Sequence, residues 1–191
     1  MFKLIPAALI AFTLHAQEHE EEMRHAMEEV QDAREELREA KREYYDGMVE
    51  RNEREIEWKL DALGDPDDAP GPEEQDLRSK LVKLHEMRLT NRVVKADYRL
   101  RYEEARLSVM RLQRIHHAIS FMRPQLQHEG IKADGFPRLQ QVVQEKLKGV
   151  MLLQAYFEAK LDGEEEKAKA IAEKLGDKVP PPVKLEKPKE I

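Results

Sequence analysis

At 191 residues, with 38% of them charged and 6% aromatic, the chain carries too many charges for a compact globule with a thick core. Its Leu, Val, Met and Ala are too many and too regularly spaced for a disordered chain, and a composition dominated by Ala, Glu, Lys, Leu and Arg marks long helices, so an all-α fold is expected. There is no cysteine, which excludes disulfides, thiolate metal sites, thiol catalysis and a lipidated cysteine; the net charge is −6.

Lys3 gives a positive start, Leu4 to Leu14 is an apolar run, and Leu14-His15-Ala16 precedes a sharply polar Gln17-Glu18-His19-Glu20. The pattern is that of a secretory signal peptide over residues 1–16, cleaved after Ala16. An apolar run interrupted by Pro6 is too short to span a bilayer, which takes ~20 residues. No later segment is apolar enough either. The expected location is periplasmic or secreted, with no transmembrane segment left after cleavage.

From Gln17 to Leu63 no proline occurs, and the sole glycine is Gly47. Met23, Val30, Leu37 and Tyr44 recur every seven residues, with Ala26, Ala33 and Ala40 in a second row. Large residues at one seam position and alanine at the other describe a heptad pattern. After Tyr44 the phase slips, and Val49, Ile56 and Leu63 are expected to carry the stripe onward.

Residues 64–71 hold two glycines and two prolines and read as a loop. Pro72 suits a first helical position, and Glu73 and Glu74 suit the positive end of a helix dipole. A second helix is expected to run to Arg123, where Pro124 forces an exit. Its apolar residues include Val82, Leu89, Val93, Ala96, Leu100, Leu107 and Met110, with Tyr98, Ala105, Leu112 and Ile119 beside them. That face is broader than a two-stranded seam needs, so a further element should cover part of it.

Residues 124–136 form a second connection, with Gly130 and Asp134-Gly135 as turn signals. A third helix from Pro137 to Leu161 is apolar nearly all round between Val142 and Phe157, as in a helix buried by its neighbours. Asp162-Gly163 stops it, and a short fourth helix opening on Glu164–Glu166 closes at Gly176. Residues 137–176 thus form a C-terminal helical pair. Residues 177–191, with Pro180-Pro181-Pro182 and a Lys/Glu/Pro tail, read as disordered.

Charge is segregated by helix. Residues 17–63 hold 17 acids and 8 bases, a net of −9, whereas residues 77–123 hold 4 acids and 12 bases, a net of +8. Two helices of similar length and opposite charge on a short loop should form an antiparallel, coiled-coil-like hairpin over 17–123. The smaller helical pair should pack at its open end. If the hairpin closes between Leu63 and Pro72, facing residues have numbers summing to about 135, and the hairpin is roughly 70 Å long.

That register brings His19 near His116 and His117, with Glu22 and His25 within two turns. Glu22-Met23-Arg24-His25 has the Glu-x-x-His spacing of helical di-metal bundles, although a second copy of the motif is absent. Imidazole and carboxylate suit a divalent transition metal such as zinc, nickel or copper, so His19, Glu22, His25, His116 and His117 are the candidate ligands. The methionines nearby occupy seam positions, where packing is their ordinary role.

Ser79, Ser108 and Ser120 lie mid-helix, outside any Gly-x-Ser-x-Gly elbow, and neither a glycine-rich phosphate loop nor a His-Glu-x-x-His string occurs. No enzyme and no bound cofactor are expected. Export and the acidic first helix argue against nucleic acid as a partner. In size, export and hairpin design the chain resembles small periplasmic helical-hairpin stress proteins, the Spy-type chaperones and related metal-stress sensors. Leu89-Thr90-Asn91-Arg92-Val93 is the nearest string to their Leu-Thr-x-x-Gln motif, with valine in the place of the glutamine. The expected function is a non-enzymatic, scaffold- or chaperone-like protein that binds another envelope protein or self-associates. The alternative is a periplasmic metal sensor or buffer using the His/Met end of the hairpin.

Overall fold

The computed structural model describes residues 5–64, 71–130 and 134–185, and among them the side chains other than those of 5–18, 60–64 and 73. The chain is all-α. Its elements are α1 (Ile5–Gly64), α2 (Pro72–His128), α3 (Phe136–Asp162), α4 (Glu165–Leu175) and a 3-10 turn at Gly176–Lys178, with no strand among the described residues. Residues 1–4 of the expected signal, 65–70 of the loop, 131–133 of the second connection and 186–191 of the tail lie outside the described residues. α1 runs unbroken through Ala16, the expected cleavage point.

Contacts divide the chain into two units. The first comprises residues 1–33 and 98–180, the second residues 34–97 and 181–191, so α1 and α2 contribute to both.

In the second unit the two long helices pair antiparallel. Glu43 pairs with Arg92, Arg51 with Glu86 at 3.0 Å, and the Arg78 guanidinium lies 4.8 Å from the Trp58 ring centre. Gly47 sits against Leu89, whose Cδ1 lies 2.5 Å from where a glycine-47 Cβ would stand. These pairs have numbers summing to between 135 and 137, the register expected from the loop position. Leu37, Ala40, Tyr44 and Met48 on α1 and Val93 and Ala96 on α2 are buried.

The continuation of the stripe through Val49 and Ile56 is corrected: both are exposed, and the side chain of Leu63 is outside the described set. The inward positions after Tyr44 are Gly47 and Met48, with half-buried Arg51 and Trp58 following. Four-residue and three-residue steps from Tyr44 keep the same helix face, whereas Val49 lies five residues on and has rotated away.

In the first unit, Ala26, Val30 and Leu107 form a buried cluster against which Met23, Leu100 and Met110 pack. Ala33, wholly buried, continues the alanine row. α3 lies along α2 and antiparallel to it: Gln140 and Gln144 reach His116, while Phe157 meets Tyr98 with ring centres 6.2 Å apart. The Arg101 guanidinium lies 5.9 Å from the Phe157 ring centre. α3 is therefore laid along α2 as far as Tyr98. It is also the further element that the broad apolar face of α2 requires.

Two features differ from expectation. α2 passes through Pro124 and ends at His128: a proline removes one backbone donor, and beyond it the Glu129 N–H still donates to the Gln125 carbonyl at 3.1 Å. The exit comes at Gly130, whose φ of +73° takes the left-handed conformation that other residues resist. α3 is not enclosed on all sides: Val143, Phe157 and Ala159 are buried, while Leu139, Val142 and Met151 are exposed. Apolar residues all round a helix supply more sticky surface than its neighbours here cover. Of the tail, residues 180–185 are in neither helix nor strand, and Pro180, Val183 and Leu185 are half-buried. Consecutive prolines favour an extended backbone that needs no internal hydrogen bonds.

Between α3 and α4 the chain turns at Gly163, and the Glu164 N–H donates to the Ala159 carbonyl at 2.8 Å. Lys160 donates to Glu165 at 2.5 Å and Lys167 to Glu164 at 2.6 Å. The Glu165 hydrogen bond holds the Lys160 ammonium above the ordinary lysine range, against a smaller opposing effect of burial. A raised folded-state pKa means that this contribution is complete below about pH 10.5 and is lost as pH rises through the folded value. The urea midpoint of the wild type should therefore fall more between pH 8 and pH 11 than that of Glu165→Gln. Equal falls in the two proteins would remove Lys160 from the account.

The alanine row makes a second forecast. Ala26→Leu forces extra methylenes into a closed cluster and should destabilise the chain by about 1–3 kcal/mol, while Leu at exposed Met27 should stay within about 0.5 kcal/mol. Chemical denaturation of both variants checks this, and similar midpoints would mean that the alanine seam tolerates bulk.

Candidate interaction surfaces

The five expected metal ligands have different partners. His19 Nδ1 lies 3.2 Å from a Glu22 carboxylate oxygen one turn away, and His25 Nδ1 lies 3.8 Å from Glu29. His116 is turned toward α3, where the side-chain amides of Gln140 and Gln144 lie 3.4 and 3.1 Å from its Nε2. Nε2 of His116 thus faces two side-chain amides of α3. The rings of His116 and His117 are 6.2 Å apart and nearly perpendicular. Among the described residues, no three His, Asp or Glu side chains stand together in a way that could hold a metal ion. Zinc titration of the full chain and of His116→Ala/His117→Ala should accordingly give the same affinity. A stoichiometric site present in the wild type and lost in the double variant would show that these residues converge after all.

The second unit offers a different kind of site. Between α1 and α2 lies an open groove of about 360 Å³, lined on α1 by Gly47, Glu50, Arg51, Arg54 and Trp58. On α2 it is lined by Arg78, Leu81, Val82, Leu84, His85 and Arg88. Gly47 shapes it, since a Cβ there would collide with Leu89 and come within 3.3 Å of His85 Nε2. Leu77, Leu81 and Leu84, at 60%, 66% and 53% exposure, form a row one helix turn apart on α2. Arg51 reaches across the helix pair to Glu86, while its Nε is buried with no hydrogen-bond partner among the described residues. Arg54 pairs with Glu50 at 3.6 Å and Arg78 with Glu74 at 2.5 Å, both one turn away on their own helices.

The first unit also exposes apolar side chains: Ile115, Phe121 and Met122 on α2, and Leu139, Val142 and Met151 on α3. No helix among the described residues is long and apolar enough to cross a membrane. Comparison with known proteins finds no match among protein-family models, curated proteins or solved structures.

The leucine row of Leu77, Leu81 and Leu84 is not among the seam positions expected from the sequence. Its signal was present in the spacing, a leucine row interleaved with Arg78, Lys80, Lys83 and Arg88. Leu77 and Leu84 stand at steps of seven from Tyr98, Ala105, Leu112 and Ile119, so they continue the second apolar row of α2 and not the row of Val82 and Leu89.

Proposed function

We propose that the chain is a non-enzymatic, exported helical-hairpin protein that binds another protein of the cell envelope, in a scaffold- or chaperone-like role. The observation that carries this reading is the leucine row Leu77-Leu81-Leu84 on α2, exposed beside Trp58 and a set of arginines. Scattered surface hydrophobics are ordinary, but apolar residues in register along one helix face form a contiguous patch of the kind that interaction sites use. The export part rests on Lys3, the Leu4–Leu14 run and Ala16. The non-enzymatic part rests on a sequence with no nucleophile elbow, phosphate loop or zinc-binding helix motif.

Two measurements test it. Cell fractionation of the tagged full chain should recover it outside the cytoplasm, shortened by the signal. A photo-crosslinking amino acid at Leu77 should then give a discrete protein adduct, identified by mass spectrometry, that the same label at exposed Glu53 does not give. Cytoplasmic recovery would overturn the export, and the absence of any adduct at Leu77 would overturn the binding role.

A further inference from the structure

The groove of the second unit combines three properties that together define what fits it. Its lining includes the apolar side chains of Trp58 and Val82, with Leu81 and Leu84 at the rim. Its walls are cationic, with Arg51, Arg54, Arg78 and Arg88 against the single carboxylate of Glu50 among the lining residues. Its lining runs from residue 47 to 58 on one helix and from 78 to 88 on the other, which at helical rise is about 16 Å, or three turns. We propose that this groove is a docking seat for an acidic amphipathic helix of a partner protein. The partner's apolar row lies on Trp58, Leu81 and Leu84, and its flanking carboxylates meet Arg54, Arg78 and Arg88. This rests on the partner-binding reading above and names the surface and the partner's chemistry.

The chain supplies its own precedent for such a seat. In the first unit α2 carries a further helix, α3, whose Phe157 lies against Tyr98 and near the Arg101 guanidinium. In the second unit the corresponding aromatic-and-arginine pair, Trp58 with Arg78, lines an open groove. An apolar helix face laid into a groove between two helices is a recurrent mode of recognition. Guanidinium groups match carboxylates by paired, planar hydrogen bonds, so the arginines select an acidic flank. The ion pairs now made by Arg54 and Arg78 are local and partly exposed. Such pairs contribute about 0–1 kcal/mol each, so a partner carboxylate can share or replace them. A second copy of the chain is a poor occupant, because a two-fold contact through this face sets arginine against arginine.

Trp58 is the sole tryptophan, so intrinsic emission of the full chain reports on this groove alone. The probes are two synthetic helical peptides sharing one leucine row, one flanked by glutamates and one by lysines, together with phosphatidylglycerol vesicles. The glutamate peptide should shift Trp58 emission saturably and bind at least about tenfold more tightly than the lysine peptide. Arg54→Glu/Arg88→Glu, at exposed positions, should keep its helical circular dichroism, lose at least about tenfold in affinity for the glutamate peptide and gain for the lysine peptide. Leu81→Ser serves as a second variant and should weaken both peptides.

Equal binding of the two peptides, or no response to the glutamate peptide, overturns the proposal. So does a shift produced by the vesicles alone, which would make the groove a membrane contact. A Trp58 emission that changes with protein concentration alongside a dimer mass would assign the groove to a second copy. If Leu77 yields a crosslinked partner that Arg54→Glu/Arg88→Glu still captures undiminished, the groove assignment fails while the partner-binding reading stands.

Discussion

The alanine row on α1 sets the conditions for every other contact the long helices make. Ala26, Ala33 and Ala40 are at most 2% exposed, and at each the absence of a longer side chain lets α2 approach closely. Close approach multiplies dispersion contacts and removes apolar area from water, at roughly 25 cal/mol per Å². Large residues fill the alternate positions, with Val30, Leu37 and Tyr44 buried between the alanines. Gly47 extends the logic by one residue type, since the Leu89 methyl occupies the volume that a Cβ would need.

Individual ion pairs do not all follow the segregation of charge. Glu43 with Arg92 follows the acidic-first, basic-second arrangement, but Arg51 with Glu86 reverses it. Many of the remaining pairs join residues three to five apart on the same stretch of chain, as with Lys59–Glu55 and Lys80–Asp76. These support a helix locally and say nothing of its partner. Register is thus carried by the seam, with charge biasing it.

Where the seam changes composition, the character of the surface changes with it. Up to Tyr44 the inward positions are alanines and large apolar residues, and the helices close on each other. Beyond it Arg51 and Trp58 take the inward positions, and two such side chains cannot be enclosed as tightly as alanine and leucine. A groove opens, and the leucines of α2 that might have closed it lie along its rim. In the first unit the corresponding need is met by α3, whose own outward face keeps Leu139, Val142 and Met151 in contact with solvent. Both units leave apolar side chains exposed.

The sequence by itself determined the all-α class, the paired heptad rows from Ala26 to Tyr44, the loop-centred register and the glycine that ends α3. These are local or periodic properties: an alanine every seven residues has one sterically sensible place, and chain length from a loop sets which residues face. Only the tertiary structure decided what lies beyond Tyr44, that α2 continues through Pro124, that His116 turns to Gln140 and Gln144, and that α3 is half-covered. Those outcomes depend on which of several comparable surfaces a third element covers. An apolar residue carries the same tendency to be buried whether or not a neighbour arrives, and a histidine's orientation follows the donors that happen to face it. Periodicity shows which residues share a face; only the packed arrangement shows which faces are matched and which are left open.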